Sequence, residues 1–225
     1  MFFKKKVFCV LCERYCTEDS IKKKHKEIGV CHNCYSKLLT TKDKSFDCGD
    51  GVKGVFSPYA YCGGIAEAIK EFKFHGMSLY GKLFGEMIYD ELKDNSYIRD
   101  FDVIIPVPLH KKRLDERGYN QSEVMAEQLS KLFKIPLICD GLFRIRETKK
   151  QSSLVGLERR ENVRGAFYAS PSVVSGKRII LVDDVCTMGE TLRACASALS
   201  EAGAEEIIAI TLCVSKEEDN SYKLY

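Results

Sequence analysis

The sequence predicts an α/β protein, a mostly parallel sheet flanked by helices, with a small cysteine-rich module ahead of it. Three observations carry this. Short apolar runs (Phe101–Val107, Lys177–Val182, Glu206–Val214) alternate with stretches whose apolar residues recur at helical spacing (Ser122–Phe133, Glu190–Ala202). Runs that are apolar on both faces suit strands covered on both sides, as parallel sheets are. The amino end breaks this pattern: it holds two Cys-x2-Cys pairs and ends in a polar, aperiodic stretch over 35–50, read as a linker. The expected division is therefore 1–50 for module and linker, and 51–225 for the α/β domain. A chain of 225 residues is long enough for one sizeable core and one small appendage.

In chain order, Cys9-Val10-Leu11-Cys12 and Cys31-His32-Asn33-Cys34 are knuckles separated by 18 residues, a spacing typical of zinc sites. Two such turns complete a tetrahedral shell of thiolates on one Zn²⁺ and leave no open position, so the expected site is structural. Cys16, His25, His32 and Cys48 are spare donors with less regular spacing; Cys62, Cys139, Cys186, Cys195 and Cys213 lie in or beside apolar stretches and read as small core residues. Between the knuckles, Lys22, Lys23, Lys24 and Lys26 read as a projecting basic loop, either solvated or in contact with nucleic-acid phosphates. Val52–Tyr61 alternates like a strand. Gly63-Gly64 opens a helix burying Ile65, Ala68, Ile69 and Phe72, and a second helix after Gly76 buries Leu79, Leu83, Met87 and Leu92. Phe101–Val107 is a buried strand running into a loop, and Ser122–Phe133 a helix with Val124, Met125, Leu129 and Leu132 inward. Lys177–Val182, Glu190–Ala202 (ended by Gly203) and Glu206–Val214 complete the pattern as strand, helix and strand.

Charge separates the ends. Residues 1–46 hold 11 Lys/Arg against 5 Asp/Glu, a net of +6, and residues 179–225 hold 3 against 9, a net of −6. The overall +3 does not mark a nucleic-acid binder by itself, whereas the basic amino end suits nucleic acid or an acidic partner. No apolar run has membrane-spanning length, so no membrane insertion is expected, and Met1–Lys6 lacks the features of a signal peptide. The expected location is the cytoplasm, where 11 cysteines point to metal rather than disulfides.

The densest chemistry lies at Ile179–Thr191. A strand is followed by Asp183-Asp184, then a turn with Thr187 and Gly189, then a helix opening at Glu190-Thr191. Backbone N–H groups, hydroxyls and a helix N-terminus suit a phosphate monoester. Carboxylates there make sense when they accept hydrogen bonds from sugar hydroxyls or help organise Mg²⁺. The parts describe a site for a ribose 5-phosphate. The segment resembles the signature of type I phosphoribosyltransferases, which bind phosphoribosyl pyrophosphate (PRPP). The resemblance implies that Asp183 and Asp184 contact the ribose hydroxyls, and that Cys186, Thr187, Met188, Gly189, Glu190 and Thr191 hold the 5′-phosphate. Met188 departs from the small or hydroxyl residue common there and offers only its backbone N–H.

Beside such a site, the cluster His110, Lys111, Lys112, Arg113 and Arg117, delivered by the strand that ends in Pro106-Val107-Pro108, can stabilise a pyrophosphate leaving group; Lys111, Lys112, Arg113 and Arg117 are the expected contacts. The polar stretches Leu142–Leu154 and Arg159–Phe167 suit a mobile flap that excludes water, or an ordinary surface hairpin.

Taken in order, the zinc knuckles, Pro-Val-Pro-Leu-His-x3-Leu-x2-Arg-Gly-Tyr-Asn-Gln, Arg-x-Thr-x2-Gln-x2-Leu-x4-Arg-x-Asn-Val-x-Gly-Ala-Phe and Val-Asp-Asp-Val-x-Thr-x-Gly-x-Thr resemble the ComF/GntX family of competence-associated, type I phosphoribosyltransferase-like proteins, from Cys9 to about Val214. That resemblance implies a role in DNA uptake during natural transformation, with single-stranded DNA and a helicase-like ATPase as partners. Mg²⁺ would accompany PRPP. Two other readings stand beside it: a nucleotide or base salvage phosphoribosyltransferase, and a non-catalytic single-stranded-DNA-binding adaptor. No residue pattern specifies the acceptor of a phosphoribosyl group, and Tyr119 is a stacking candidate only.

Overall fold

The computed structural model describes residues 5–41, 45–46, 51–148 and 163–215. Expectations placed on Cys48 and on 149–162 lie outside the described residues.

The amino-terminal module is a four-stranded sheet ordered β2-β1-β4-β3, made of β1 (Lys6–Cys9), β2 (Arg14–Thr17), β3 (Ile21–His25) and β4 (Ile28–Cys31), closed by the short helix α1 (His32–Tyr35). Val7, Cys9, Val10, Ile28 and Val30 are buried, and Val10, Ile28 and Val30 join the core of the larger domain. The lysine run is therefore not a projecting loop. Lys22, Lys23 and Lys24 lie in β3, paired antiparallel to β4, and only Lys26 sits in the following turn with φ 53°. Side chains alternate along a strand. Lys23 accordingly turns to the larger domain, where its Nζ meets Asp90 at 2.6 Å and Glu86 at 3.8 Å, and His25 Nδ1 meets Glu86 at 2.7 Å.

The larger sheet has six strands in the order β5-β6-β12-β11-β8, with β7 also paired to β12. These are β5 (Ser45–Phe46), β6 (Val55–Phe56), β7 (Tyr59–Ala60), β8 (Val103–Pro106), β11 (Arg178–Cys186) and β12 (Glu206–Val214). All pairs are parallel except β5 with β6. A two-stranded antiparallel ribbon, β9 (Leu142–Arg144) with β10 (Phe167–Ala169), stands apart. The strand expected over Val52–Tyr61 is split in two. Pro58 has no N–H to donate, and the chain rejoins β12 only at Tyr59.

Alternate residues of β8, β11 and β12 feed two cores. Ile104, Ile180, Val182, Ile208, Ile210 and Leu212 face α2 (Gly63–Phe74), α3 (Leu79–Leu92) and α5 (Gln121–Phe133). Val103, Ile105, Ile179, Leu181, Ile207 and Ala209 face α6 (Pro171–Val174) and α7 (Glu190–Glu201), with β9 and β10. Burial on both faces explains why these strands read as unbroken apolar runs.

One contact joins module to domain at close range. A Cβ on Gly64, in the first turn of α2, would stand 2.3 Å from the Leu11 carbonyl oxygen in the first cysteine knuckle. Only a residue without a Cβ lets the helix start against that backbone. No described helix is long and apolar enough to cross a membrane.

Candidate functional site: an acid pair in a basic cleft

Parallel sheets bind ligands beyond the carboxyl ends of their strands. Here β8 and β11 end at a cleft of about 620 Å³. Its basic side chains come from α2, β9 and a helix that follows Pro108, and α5 closes it with polar ones. The residues after Pro108, expected to form a loop, instead fold as α4 (Lys111–Arg117), whose sequence of straight-chain residues favours a helix. On a helix, positions four apart share a face. Arg113 and Arg117 accordingly line the cleft, while His110, Lys111 and Lys112 do not, and Lys112 pairs with Glu147 at 3.0 Å. Asn120 caps α5 by accepting from the Ser122 amide, and its Nδ2 donates to the Val107 carbonyl at 3.1 Å. That tie holds the start of α5, with Ser122, against the mouth of β8.

The acid pair is not past the sheet but inside it. β11 runs four residues beyond its expected end and stays paired with β12 through Asp183↔Thr211 and Cys186↔Val214. Asp183 and Asp184 are thus held on a strand. Asp183 Oδ1 accepts from Ser122 Oγ and from the Asp184 amide, both at 2.9 Å. Burial and the charge of Asp184 push its carboxyl up to about 6, against the pull of Lys73. Asp184 Oδ1 meets Lys73 Nζ, at the end of α2, at 2.7 Å. Its Oδ2 is buried and has no hydrogen-bond partner among the described residues. Burial opposes the charge on Lys73, yet the two aspartates outweigh it and its pKa is raised.

Past the pair, Gly189 takes φ 77° and turns the chain into α7. Of the eight residues expected to hold PRPP, Asp183, Asp184, Thr187 and Thr191 line the cleft; Cys186, Met188, Gly189 and Glu190 do not. Cys186 is buried in the core, and the Glu190 carboxylate is turned to Arg193 at 2.6 Å, so these positions offer the turn their backbone rather than their side chains. Arg193 also donates to the Met188 carbonyl at 2.5 Å, bracing the turn from behind.

Among the cleft residues not expected from the sequence in this role are Lys73, Glu116, Ser122 and Arg144. Arg144, on β9, donates to Thr148 Oγ1, and Arg113 donates to the Thr148 carbonyl at 2.9 Å. Burial, and then Arg113 nearby, lower the pKa of Arg144, whose Nε is buried without a hydrogen-bond partner among the described residues. Cations crowded together beside a carboxylate with a spare acceptor make a site for a ligand that is anionic at one end and hydroxylated at the other. Because Arg113 and Arg117 face the cleft and Lys111 and Lys112 do not, Arg117→Ala should weaken binding of such a ligand by about tenfold or more. Lys111→Ala and Lys112→Ala should each change it less than about twofold. Titration of the three variants side by side checks this.

In the module, the sulfurs of Cys9, Cys12, Cys31 and Cys34 all lie within 4.8 Å of one another. A Zn²⁺ ion with four Zn–S bonds of about 2.3 Å needs sulfurs about 3.8 Å apart, so this cluster is of the right size for a tetrahedral metal centre. The Cys31 amide donates to Cys9 Sγ at 3.3 Å, a bond that supports a thiolate. Cys16, His25 and His32 stand outside the cluster.

Fold and cleft together define a type I phosphoribosyltransferase-like protein, and the family model and the curated relatives agree. Residues 119–224 match the family model described as Phosphoribosyl transferase domain. Competence protein ComFC of Bacillus subtilis is 30% identical over 193 residues, which cover 82% of this chain and 72% of that protein. Competence protein F of Haemophilus influenzae is 33% identical over 144 residues, 62% of this chain; the match spans only 63% of that relative's length. The DNA utilization protein YhgH of Escherichia coli O157:H7 is 35% identical over 112 residues, half of this chain and 49% of its own. Among solved structures, glutamine PRPP amidotransferase from B. subtilis, complexed with ADP and GMP, is 27% identical over 58% of this chain and 25% of that one, with a TM-score of 0.40. The chain belongs to the ComF family.

Proposed function

We propose that this chain is a PRPP-binding, ComF-type protein that acts in DNA uptake, with a structural Zn²⁺ in its four-cysteine cluster. The observation that carries the PRPP reading is the buried Asp184 Oδ2, an acceptor without a partner among the described residues, in a cleft that Thr187, Thr191, Arg113, Arg117 and Arg144 also line. A ribose hydroxyl would satisfy that oxygen. Thr187, Thr191 and the backbone around Gly189 would take the 5′-phosphate, and the arginines the pyrophosphate. Mg²⁺, when bound with PRPP, supplies the rest of the charge neutralisation the pyrophosphate needs.

The role in DNA uptake rests on the relatives named competence proteins and DNA utilization proteins. Single-stranded DNA and a helicase-like ATPase are the partners it implies. Contact with DNA through β3 falls to Lys22 more than to its neighbours. Lys23 is engaged by Asp90 and Glu86, and Lys24 by Glu18, whereas Lys22 is exposed and lies 5.9 Å from the centroid of the Tyr35 ring.

Calorimetric titration with Mg²⁺–PRPP tests the cleft. The wild type should bind saturably, and the Asp183→Asn/Asp184→Asn variant at least about a hundredfold more weakly, since two hydrogen bonds between hydroxyls and charged groups are lost. A folded, metal-loaded wild type that shows no binding overturns the reading.

A further inference from the structure

We propose that Lys73 is a positioning residue of this cleft: its ammonium holds Asp184 by Oδ1 and so presents Oδ2 to a sugar hydroxyl of the ligand. The inference rests on the PRPP reading of the cleft and adds to it a residue from outside the phosphate turn and the basic helix. Lys73 lines the same cleft as Asp183 and Asp184, and the Nζ–Oδ1 distance is 2.7 Å. The side chain of Asp184 is 4% exposed and that of Lys73 is 24% exposed, so the pair is largely shielded from water and little screened. Asp184 therefore has one oxygen committed to Lys73 and one uncommitted, and the committed one fixes the carboxylate plane.

Adjacent carboxylates repel, which disfavours the charge on Asp183, and a cation held beside them opposes that. Several charged or titratable groups face the pair. Lys73 comes from α2, Arg117 from α4, Arg144 from β9, Cys195 from α7 and Cys213 from β12. Of the cations, Lys73 alone has an ion pair of hydrogen-bonding length with either aspartate among the described residues. The arginines are turned to Gln121 and Thr148.

The test is PRPP binding by calorimetry between pH 5.5 and 8.5 for the wild type, Lys73→Met, Lys73→Gln and Lys73→Arg, each checked for folding by thermal melting. Lys73→Gln keeps a donor but not the charge, on a side chain one atom shorter, and Lys73→Met keeps neither, so the test can be run on whichever neutral variant folds. Removing the charge should weaken binding at pH 7.5 by about tenfold or more. It should also move the acid limb of the binding profile up by about one pH unit, because Asp183 then ionises less readily without the nearby ammonium. The ligand's own phosphate titration is common to all four proteins and cancels in the comparison. Lys73→Arg should restore the wild-type limb. Neutral variants with wild-type affinity and an unmoved limb overturn the proposal, as does an affinity loss uniform in pH that Lys73→Arg fails to relieve. A wild type that does not bind PRPP removes this proposal and the PRPP reading together; binding by the wild type with unaltered neutral variants removes this one alone.

Discussion

Chelating the Zn²⁺ proposed for the four-cysteine cluster, or replacing Cys31 by Ser, should unfold the amino-terminal module and lower the melting temperature of the whole chain by about 8–16 °C. The strands β1 to β4 are four or five residues each, and together they make a module too small to hold a core of its own without a staple. A structural zinc is worth roughly 10–16 kcal/mol to isolated zinc-finger peptides. Here part of that is already supplied by Val10, Ile28 and Val30 in the main core and by the pairs Lys23–Asp90 and His25–Glu86. A residual loss of about 4 kcal/mol still corresponds to about 8–16 °C in a domain of this size. Scanning calorimetry with and without chelator, alongside metal analysis expected to give one zinc per chain, decides it. Unchanged melting after complete metal removal would show that the cluster does not hold the module together.

The two aspartates should respond in opposite directions to neutralisation. Asp183→Asn should stabilise the protein at neutral pH by about 2 kcal/mol, while Asp184→Asn should destabilise it by about 2–3 kcal/mol. The folded-state pKa of Asp183 is raised to about 6 from 3.8. A raised value means that the folded chain takes up this proton more readily than the unfolded one. The contribution to stability is therefore present below about pH 4 and lost as pH climbs through about 6. At pH 7 the ionised carboxyl opposes folding, and an amide removes that opposition. The gain from Asp183→Asn should accordingly shrink when the comparison is repeated near pH 5. Asp184→Asn leaves the Lys73 ammonium in the cleft without its ion-pair partner, and the shortfall comes from that stranded charge. Urea unfolding of both variants at pH 7.5 and pH 5 reads both signs. Equal shifts in one direction would refute the assignment of Lys73 to Asp184. That ligand binding and stability pull apart at Asp183 is what a site kept for function should show.

How much of this could be read from the chain depends on the range of the contacts. α2, α3, α5, α7 and β12 follow from apolar spacing, because each buries its own stripe or run against one sheet. The four cysteines were grouped by spacing because each knuckle is a local turn, and the fold brings the two turns together. The errors arise where a neighbour in space decides. β11 continues to Cys186 because β12 lies alongside to pair with it, although Asp183 and Asp184 look like the end of a strand. The lysines of β3 read as a loop because the partners that mark Lys23 as inward-facing, Asp90 and Glu86, are on α3. The Lys111–Arg117 cluster could not be sorted into cleft-facing and solvent-facing residues until its helical turn was known. Lys73 had no local signal at all. It follows core residue Phe72 at the end of an amphipathic helix, and among the described residues its ion-pair partner is the distant Asp184.

The close approach of Gly64 to Leu11 has a consequence for how such a chain can be inherited. α2 is twelve residues long, a rod of about 18 Å. Its first turn rests on the backbone of a cysteine knuckle, and its last turn carries the lysine bonded to the acid pair. A recombination event that joined this module to another chain's α/β domain would press the knuckle backbone against the helix unless that domain also lacked a side chain at the facing position. The module can therefore be inherited only with a helix that keeps glycine there, and a position that reads as part of one half is closed to substitution by the backbone of the other.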